Sequence, residues 1–253
     1  MRHVVITGGA SGLGRAMAER FIAEGDQVAI CDADPNAVAA FATTHPSQIA
    51  CAADVTDEAQ MEAFFDQIDT RWDQIDVVCA NAGIGGPAGR IEDLSLADWN
   101  RCVEVNLSGT FLTCRWAARR MRAAGQGLIV LTSSTAGQFG YPLRSPYATA
   151  KWGIVGLTKT LAMELGPAGV RVNAICPGAV EGDRMDRVVA MEAAASGKTH
   201  DEVRALYVKG VSLRSWVTAE DVADTVSWLA SPQAKRISGQ IVAIDGHTET
   251  LTP

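Results

Sequence analysis

The chain has 253 residues, 47% of them hydrophobic, enough to build one sizeable core in a single domain. A formal net charge of −7 without any basic stripe argues against nucleic acid and anionic membrane surfaces as partners. No apolar run reaches the ~20 residues that span a bilayer, and the opening RHVVITGG lacks a charged segment followed by a long apolar one, so a cytoplasmic protein without signal peptide or membrane partner is expected.

In chain order, HVVITGG reads as a buried strand feeding a turn, and LGRAMAERFIAEG as a helix stopped by Gly25. QVAICDAD is a second strand, residues 35–45 a helix, and QIACAADV a third strand. DEAQMEAFFDQIDTRW follows as an amphipathic helix capped near Thr56 or Asp57. IDVVCANAG is a fourth strand, residues 96–124 one long helix, and QGLIVLTSS a fifth strand. SPYATAKWGIVGLTKTLAMELG is a long helix, VRVNAICPG a sixth strand, and residues 183–210 a polar helical stretch. AEDVADTVSWLAS and QIVAIDG close the pattern as helix and strand. Strands alternating with helices imply an α/β, doubly wound, Rossmann-like parallel sheet of about seven strands covered on both faces.

Four places carry chemistry. T-G-G-A-S-G-L-G, residues 7–14, joins the first strand to the first helix, with Gly8, Gly12 and Gly14 spaced for a tight turn. Bare backbone there can approach a pyrophosphate whose charge rests on the helix N-terminus, which makes Gly8, Ser11, Gly12, Leu13 and Gly14 cofactor-binding candidates. Asp32 ends the second strand, where a carboxylate accepts hydrogen bonds from ribose hydroxyls and repels a 2′-phosphate. Neither Ala10, Ser11 nor Ala33 supplies a cation for that phosphate, so NAD is expected rather than NADP. Asp54 and Val55 end the third strand and either flank an adenine ring or form a simple turn. Tyr147 and Lys151 stand four residues apart, on one helix face, where an ammonium favours the phenolate. The six cysteines are scattered in apolar runs and the four histidines are dispersed, with only His247 a neighbour of the expected pocket. No metal and no disulfide is expected, and a reducing compartment is.

Together these residues resemble the classical short-chain dehydrogenase/reductase family across essentially the whole chain. TGGASGLG is similar to its cofactor turn, Asp54-Val55 to its adenine-side motif, and Asn81-Ala82-Gly83 to its fourth-strand signature. Asn106 stands where the family has its active-site asparagine, Ser134 thirteen residues before Tyr147 where it has its serine, and Tyr147-x-x-x-Lys151 where it has its Tyr-Lys pair. Only this spacing favours Ser134 over Ser133. Pro177-Gly178 follows the sixth strand as in the family. The resemblance implies hydride transfer between a nicotinamide and the carbinol or carbonyl carbon of a small or medium secondary alcohol, polyol or hydroxy acid. Tyr147 would be the general acid/base, Lys151 would lower its pKa and bind the nicotinamide ribose, Ser134 would hold the substrate oxygen, and Asn106 a relay water.

One position departs from the family pattern. Gly182 replaces a frequent threonine, so the backbone near Val180 is expected to hold the amide, and the roles of Glu181 and Asp183 stay open. Residues 183–210, a long polar helix pair with Met185, Arg184, Arg187, Met191 and Tyr207, stand where the family has its substrate cover, which suits a mobile lid. Gln138, Tyr141 and Arg144 would face the same pocket. The arginines either pair with an anionic substrate group or are solvated charges. The Tyr147 helix is apolar around most of its girth, from Trp152 to Leu165. One face would therefore be covered by another subunit, together with the helix carrying Trp116. The resemblance points to a homotetramer. Two alternatives remain: a 3-oxoacyl-type reductase of carrier-protein thioesters, which would want NADPH and a basic patch, and a catalytically silent NAD-binding scaffold. Asp32 argues against the first, and the intact Ser134, Tyr147 and Lys151 against the second.

Overall fold

Seven short runs rich in valine, isoleucine and alanine form the strands of the computed structural model, which describes residues 1–249 apart from the side chains of Asp183, Arg184, Met191, Glu192 and Ala195. The strands are β1 (His3–Thr7), β2 (Gln27–Asp32), β3 (Ile49–Ala52), β4 (Val77–Ala80), β5 (Gly127–Thr132), β6 (Val170–Pro177) and β7 (Ile241–Ile244). They pair in parallel in the order β3-β2-β1-β4-β5-β6-β7. The order reverses between β1 and β4, and at such a switch point the loops beyond the strand ends part to leave a crevice.

Both faces of the sheet are buried, which is why the strands are apolar at consecutive positions instead of every second one. On one face Val5, Val78, Ile129 and Leu131 pack with Phe64, Phe65 and Ile68 of α3 (Glu58–Asp69), Met121 of α5 (Gly109–Ala124) and Ile154 of α6 (Ser145–Leu165). On the other, Val4, Ile6, Ile30 and Val130 meet Met17 and Phe21 of α1 (Gly12–Ala23), Phe41 of α2 (Pro35–Thr44) and Val226 of α9 (Ala219–Ala230). No disulfide joins the cysteines; burial pushes the thiols of Cys79 and Cys114 up to about 12, so they behave as small apolar core groups. Among the described residues no helix is long and apolar enough to cross a membrane.

Two expectations need correcting. The helix expected over 96–124 is divided into α4 (Leu96–Val103) and α5 by a π-turn, Glu104–Ser108, that carries Asn106. The third strand stops at Ala52, because the Asp54 side chain folds into a turn with the backbone and hydroxyl of Thr56. The polar stretch 183–210 is a helix pair, as expected: α7 (Asp183–Ser196) and α8 (His200–Lys209), parted where Gly197 takes φ 68° and Thr199 begins a capping box with Glu202. Trp116 of α5 is itself buried, with its ring stacked 4.4 Å from Phe65 and its Nε1–H donated to Asp69. The large apolar side chains left exposed on α5 and α6 are Phe111, Trp152 and Met163.

Candidate active site

The site lies at the C-terminal ends of the strands, where β1 and β4 part. Thr7 clips the two loops together: its Oγ1 accepts the backbone N–H of Asn81 at 3.1 Å and of Ala82 at 3.2 Å. Asn81 answers with Nδ2–H bonds to the carbonyls of Thr7 and Gly8, both 3.2 Å. The glycines are required by this crowding. A Cβ on Gly14 would collide with the Gly8 carbonyl, and one on Gly8 would stand 2.9 Å from Ala82 Cα. Gly12 differs, with open space where its Cβ would be and φ 51°, so the outer rim of the turn is bare backbone. Ser11 and Leu13 flank this candidate phosphate cradle.

Asp32 is brought beside the cradle. Its Oδ2 accepts the Ala10 N–H at 3.1 Å and its Oδ1 the Asp34 N–H at 3.2 Å, which fixes a carboxylate at the end of β2. Val55 is buried against Gly109. Burial alone would raise the Asp54 carboxyl, but the Thr56 N–H and the Arg101 guanidinium, 3.0 Å away, hold it below the ordinary range. The Asp54 side chain is thus taken up by its own turn and by Arg101.

The candidate catalytic groups sit just after β5, on the π-turn and on α6. Lys151 is 3% exposed, and its Nζ donates to the Thr132 carbonyl at 2.8 Å. Nζ also lies 5.5 Å from the centre of the Tyr147 ring. Ser133 and Ser134 separate cleanly. The Ser133 hydroxyl is buried and donates to the Lys151 carbonyl at 2.8 Å, locking β5 to α6. Ser134 Oγ accepts the Ala136 N–H at 3.2 Å, which caps a short 3-10 turn and leaves the hydroxyl proton for another acceptor. The local cap and the oxygen-binding role are therefore compatible in one residue.

Asn106 is fully buried, with Nδ2 donating to the carbonyls of Ile84 and Cys102, both 2.9 Å. Its Oδ1 has no protein donor. A Cβ on Gly83 would fall 2.6 Å from that oxygen and 3.4 Å from Lys151 Nζ, so only glycine keeps the space between the two head groups clear. π-turns rotate side chains off the regular helix face, and here the turn aims Asn106 at this point.

Beyond β6, Pro177 ends the strand and Gly178 passes so close to Asp245 that a Cβ would stand 2.9 Å from its side chain. Val180 pairs with Val217 as an isolated parallel bridge. Gly182 has φ 134°, a conformation side-chain-bearing residues rarely adopt, and this explains why the usual threonine is absent. Glu181 pairs with Arg204 at 2.9 Å, and Arg204 also holds Asp186 and lies over Trp216, tying α7 and α8 to the loop. Gln138 and Tyr141 are partly buried between Ser134 and Tyr147, and Arg187 is exposed. The side chains of Arg184, Met191 and Asp183 lie outside the described residues. His247 is exposed and bonded through Nδ1 to Ser212 Oγ at 2.6 Å, beside the loop that follows α8. Among the described residues no group of three or more His, Cys, Asp or Glu could hold a metal ion. Two positioning groups had escaped the sequence reading. Thr7 could have been found as the hydroxyl just before the glycines; the Thr132 carbonyl, being backbone, carries no residue signal.

Fold and site define an oxidoreductase of the Rossmann type, and a family model described as "Enoyl-(Acyl carrier protein) reductase" matches residues 8–247. The chain belongs to the short-chain dehydrogenase/reductase family. It is 35% identical to levodione reductase of Leifsonia aquatica over 252 residues, 97% of this chain and 93% of that protein. It is 34% identical to cis-4-hydroxycyclohexanecarboxylate dehydrogenase of Sinomonas cyclohexanicum, covering 97% and 95%. The crystal structure of NAD+-bound xylitol dehydrogenase superposes with a TM-score of 0.90 at 27% identity, covering 97% of this chain and 98% of that one.

Proposed function

We propose that this protein is an NAD-dependent dehydrogenase that oxidises the CH–OH group of a small or medium secondary alcohol, polyol or hydroxy acid, and reduces the corresponding carbonyl. The observation that carries this is the grouping of Tyr147, Lys151, Ser134 and Asn106 at the end of a glycine cradle. Relatives named for levodione, a hydroxycyclohexanecarboxylate and xylitol support the substrate class. When bound, the nicotinamide accepts or gives the hydride. Tyr147 takes the hydroxyl proton in oxidation and returns it in reduction. Lys151 stabilises the phenolate through its charge, while the Thr132 carbonyl fixes its head group. Ser134 donates its hydroxyl proton to the substrate oxygen. Asn106 Oδ1 accepts from a water that carries the proton onward from Lys151. The cradle backbone of Gly8, Gly12 and Gly14, the loops Asn81–Gly83 and Pro177–Val180, and the 54–55 backbone hold the cofactor. A panel of secondary alcohols, polyols and hydroxy acids, followed by absorbance of the reduced cofactor, tests the reaction; no turnover of any member would count against it.

Asp32 sets the cofactor preference. Its carboxylate beside the Ala10 N–H would meet a 2′-phosphate charge to charge. NAD is expected to bind at least about tenfold more tightly than NADP, since one close like-charge contact is worth a kcal/mol or more at ~4 Å. Fluorescence titration with both cofactors measures this, and equal dissociation constants would remove Asp32 from the selection. The exposed Phe111, Trp152 and Met163 on α5 and α6 support self-association of these helices into a homotetramer. Light scattering is expected to give the mass of four chains, and Trp152→Glu to give smaller species; a wild-type monomer would refute the assembly.

A further inference from the structure

Arginines in this chain normally find a partner. Arg2, Arg20, Arg101, Arg115 and Arg204 each rest on a carboxylate, and Arg171 donates to backbone carbonyls. Arg144 differs. Its Nε is buried and bonded to nothing, and no carboxylate among the described residues lies within ion-pair distance of it. The guanidinium is held instead by aromatic rings: Cζ lies 5.8 Å from the centre of the Tyr141 ring and 5.8 Å from that of the Tyr147 ring. The face of such a ring attracts a cation, yet offers no in-plane acceptor to its N–H groups.

The backbone is bent to achieve this placement. Leu143 takes φ 63°, a left-handed conformation that is unfavourable for a residue with a side chain. Its carbonyl accepts the Gly89 N–H at 2.9 Å, and the Arg144 N–H reaches back to the Tyr141 carbonyl at 3.3 Å. Arg144 then opens α6 three residues before Tyr147, so its head group lies on the ring whose hydroxyl does the chemistry. The next residue repeats the anomaly, for Ser145 Oγ is also buried without a partner. Asn106 Oδ1, Arg144 Nε and Ser145 Oγ are the only buried side-chain polar atoms left unsatisfied among the described residues, and all belong to residues of this site or its rim. A desolvated cationic N–H without an acceptor is costly to keep. An acceptor that arrives with the substrate resolves the cost.

We infer that Arg144 binds an anionic group of the substrate, a carboxylate or sulfonate joined by a short spacer to the reacting carbinol carbon. The inference rests on the dehydrogenase reading above and narrows its substrate class to hydroxy acids. A planar fork matches a planar carboxylate through two parallel bonds, and it fixes which hydroxyl of the molecule lies at Tyr147.

The test compares wild type, Arg144→Gln and Arg144→Lys on matched substrates: hydroxy carboxylates, hydroxy sulfonates, and methyl esters or neutral alcohols of equal length. Wild type is expected to favour the anions in kcat/KM. Arg144→Gln is expected to lose about 10–100-fold more on the anion than on its neutral counterpart, mainly through KM, as befits a charge-assisted hydrogen bond. Arg144→Lys should recover part of that loss, and the carboxylate-to-sulfonate ratio identifies the head group. Independently of turnover, straight-chain carboxylates from acetate to hexanoate are titrated into the enzyme–NADH complex by cofactor fluorescence, where Arg144→Gln should weaken binding at least about tenfold. Equal losses on anionic and neutral substrates would assign Arg144 to Tyr147 instead and overturn the inference. So would wild-type preference for neutral alcohols, or carboxylate binding indifferent to Arg144. If no alcohol is oxidised and Tyr147→Phe changes nothing, the dehydrogenase reading falls, and the carboxylate titration still decides on Arg144.

Discussion

Replacing Tyr147 by Phe is expected to lower kcat by about 10²–10⁴-fold, the range lost when a positioned general acid/base is removed. At about 1.4 kcal/mol for each factor of ten, this is a loss of about 3–5.5 kcal/mol of transition-state stabilisation. The change removes one oxygen and keeps the ring. The ring packs under both Lys151 and Arg144, so its retention preserves the arrangement of both cations. Cofactor affinity, read by fluorescence titration, should therefore change by much less than turnover. Single-turnover formation of reduced cofactor separates the chemical step from product release. A kcat within tenfold of wild type would take the proton transfer away from Tyr147.

Lys151→Met is expected to have the second-largest effect, and its signature is in the pH profile. Lys151 is buried, donates to the Thr132 carbonyl and stands over the Tyr147 ring. In the oxidation direction the reactive form of Tyr147 is the phenolate, which a nearby positive charge favours and whose removal disfavours. The limb of kcat/KM that rises with pH should therefore move to higher pH, with turnover near neutrality falling by about 10²-fold or more. Methionine keeps most of the volume, so circular dichroism and melting should show a folded chain. Coincident pH limbs in wild type and variant would confine Lys151 to a structural role.

The residues of the candidate site were legible in the sequence to different degrees. Tyr147 and Lys151 are one helical turn apart, and a period of 3.6 puts them on one face whatever surrounds them. The glycine turn was legible for a similar reason, since a Gly-rich stretch between a strand and a helix at close spacing has few other uses. Ser134 was separable from Ser133 only by counting. The structure separates them by burial, with Ser133 turned inward onto the Lys151 carbonyl and Ser134 left with a proton to give. Asn106 shows the limit of periodicity: a helix over 96–124 would have pointed it elsewhere, and the π-turn at 104–108 is what aims it into the site. Gly182 read as a missing threonine, whereas its φ of 134° makes it a glycine the backbone requires.

By itself the sequence determined the local and periodic features of this protein. These were the alternation of strands and helices, the parallel sheet, the cradle, the acidic end of β2 and the Tyr-Lys face, because each depends on residues near one another in the chain. The tertiary structure decided whatever depends on approach between distant segments. It placed Trp116 in the core against Phe65, brought Arg101 to Asp54, and closed Gly83 onto Asn106 and Lys151. It also left Arg144 beside two tyrosine rings with its Nε unanswered. Whether a buried polar atom has a partner is a property of the packed whole, since burial and partner are both supplied by residues far along the chain.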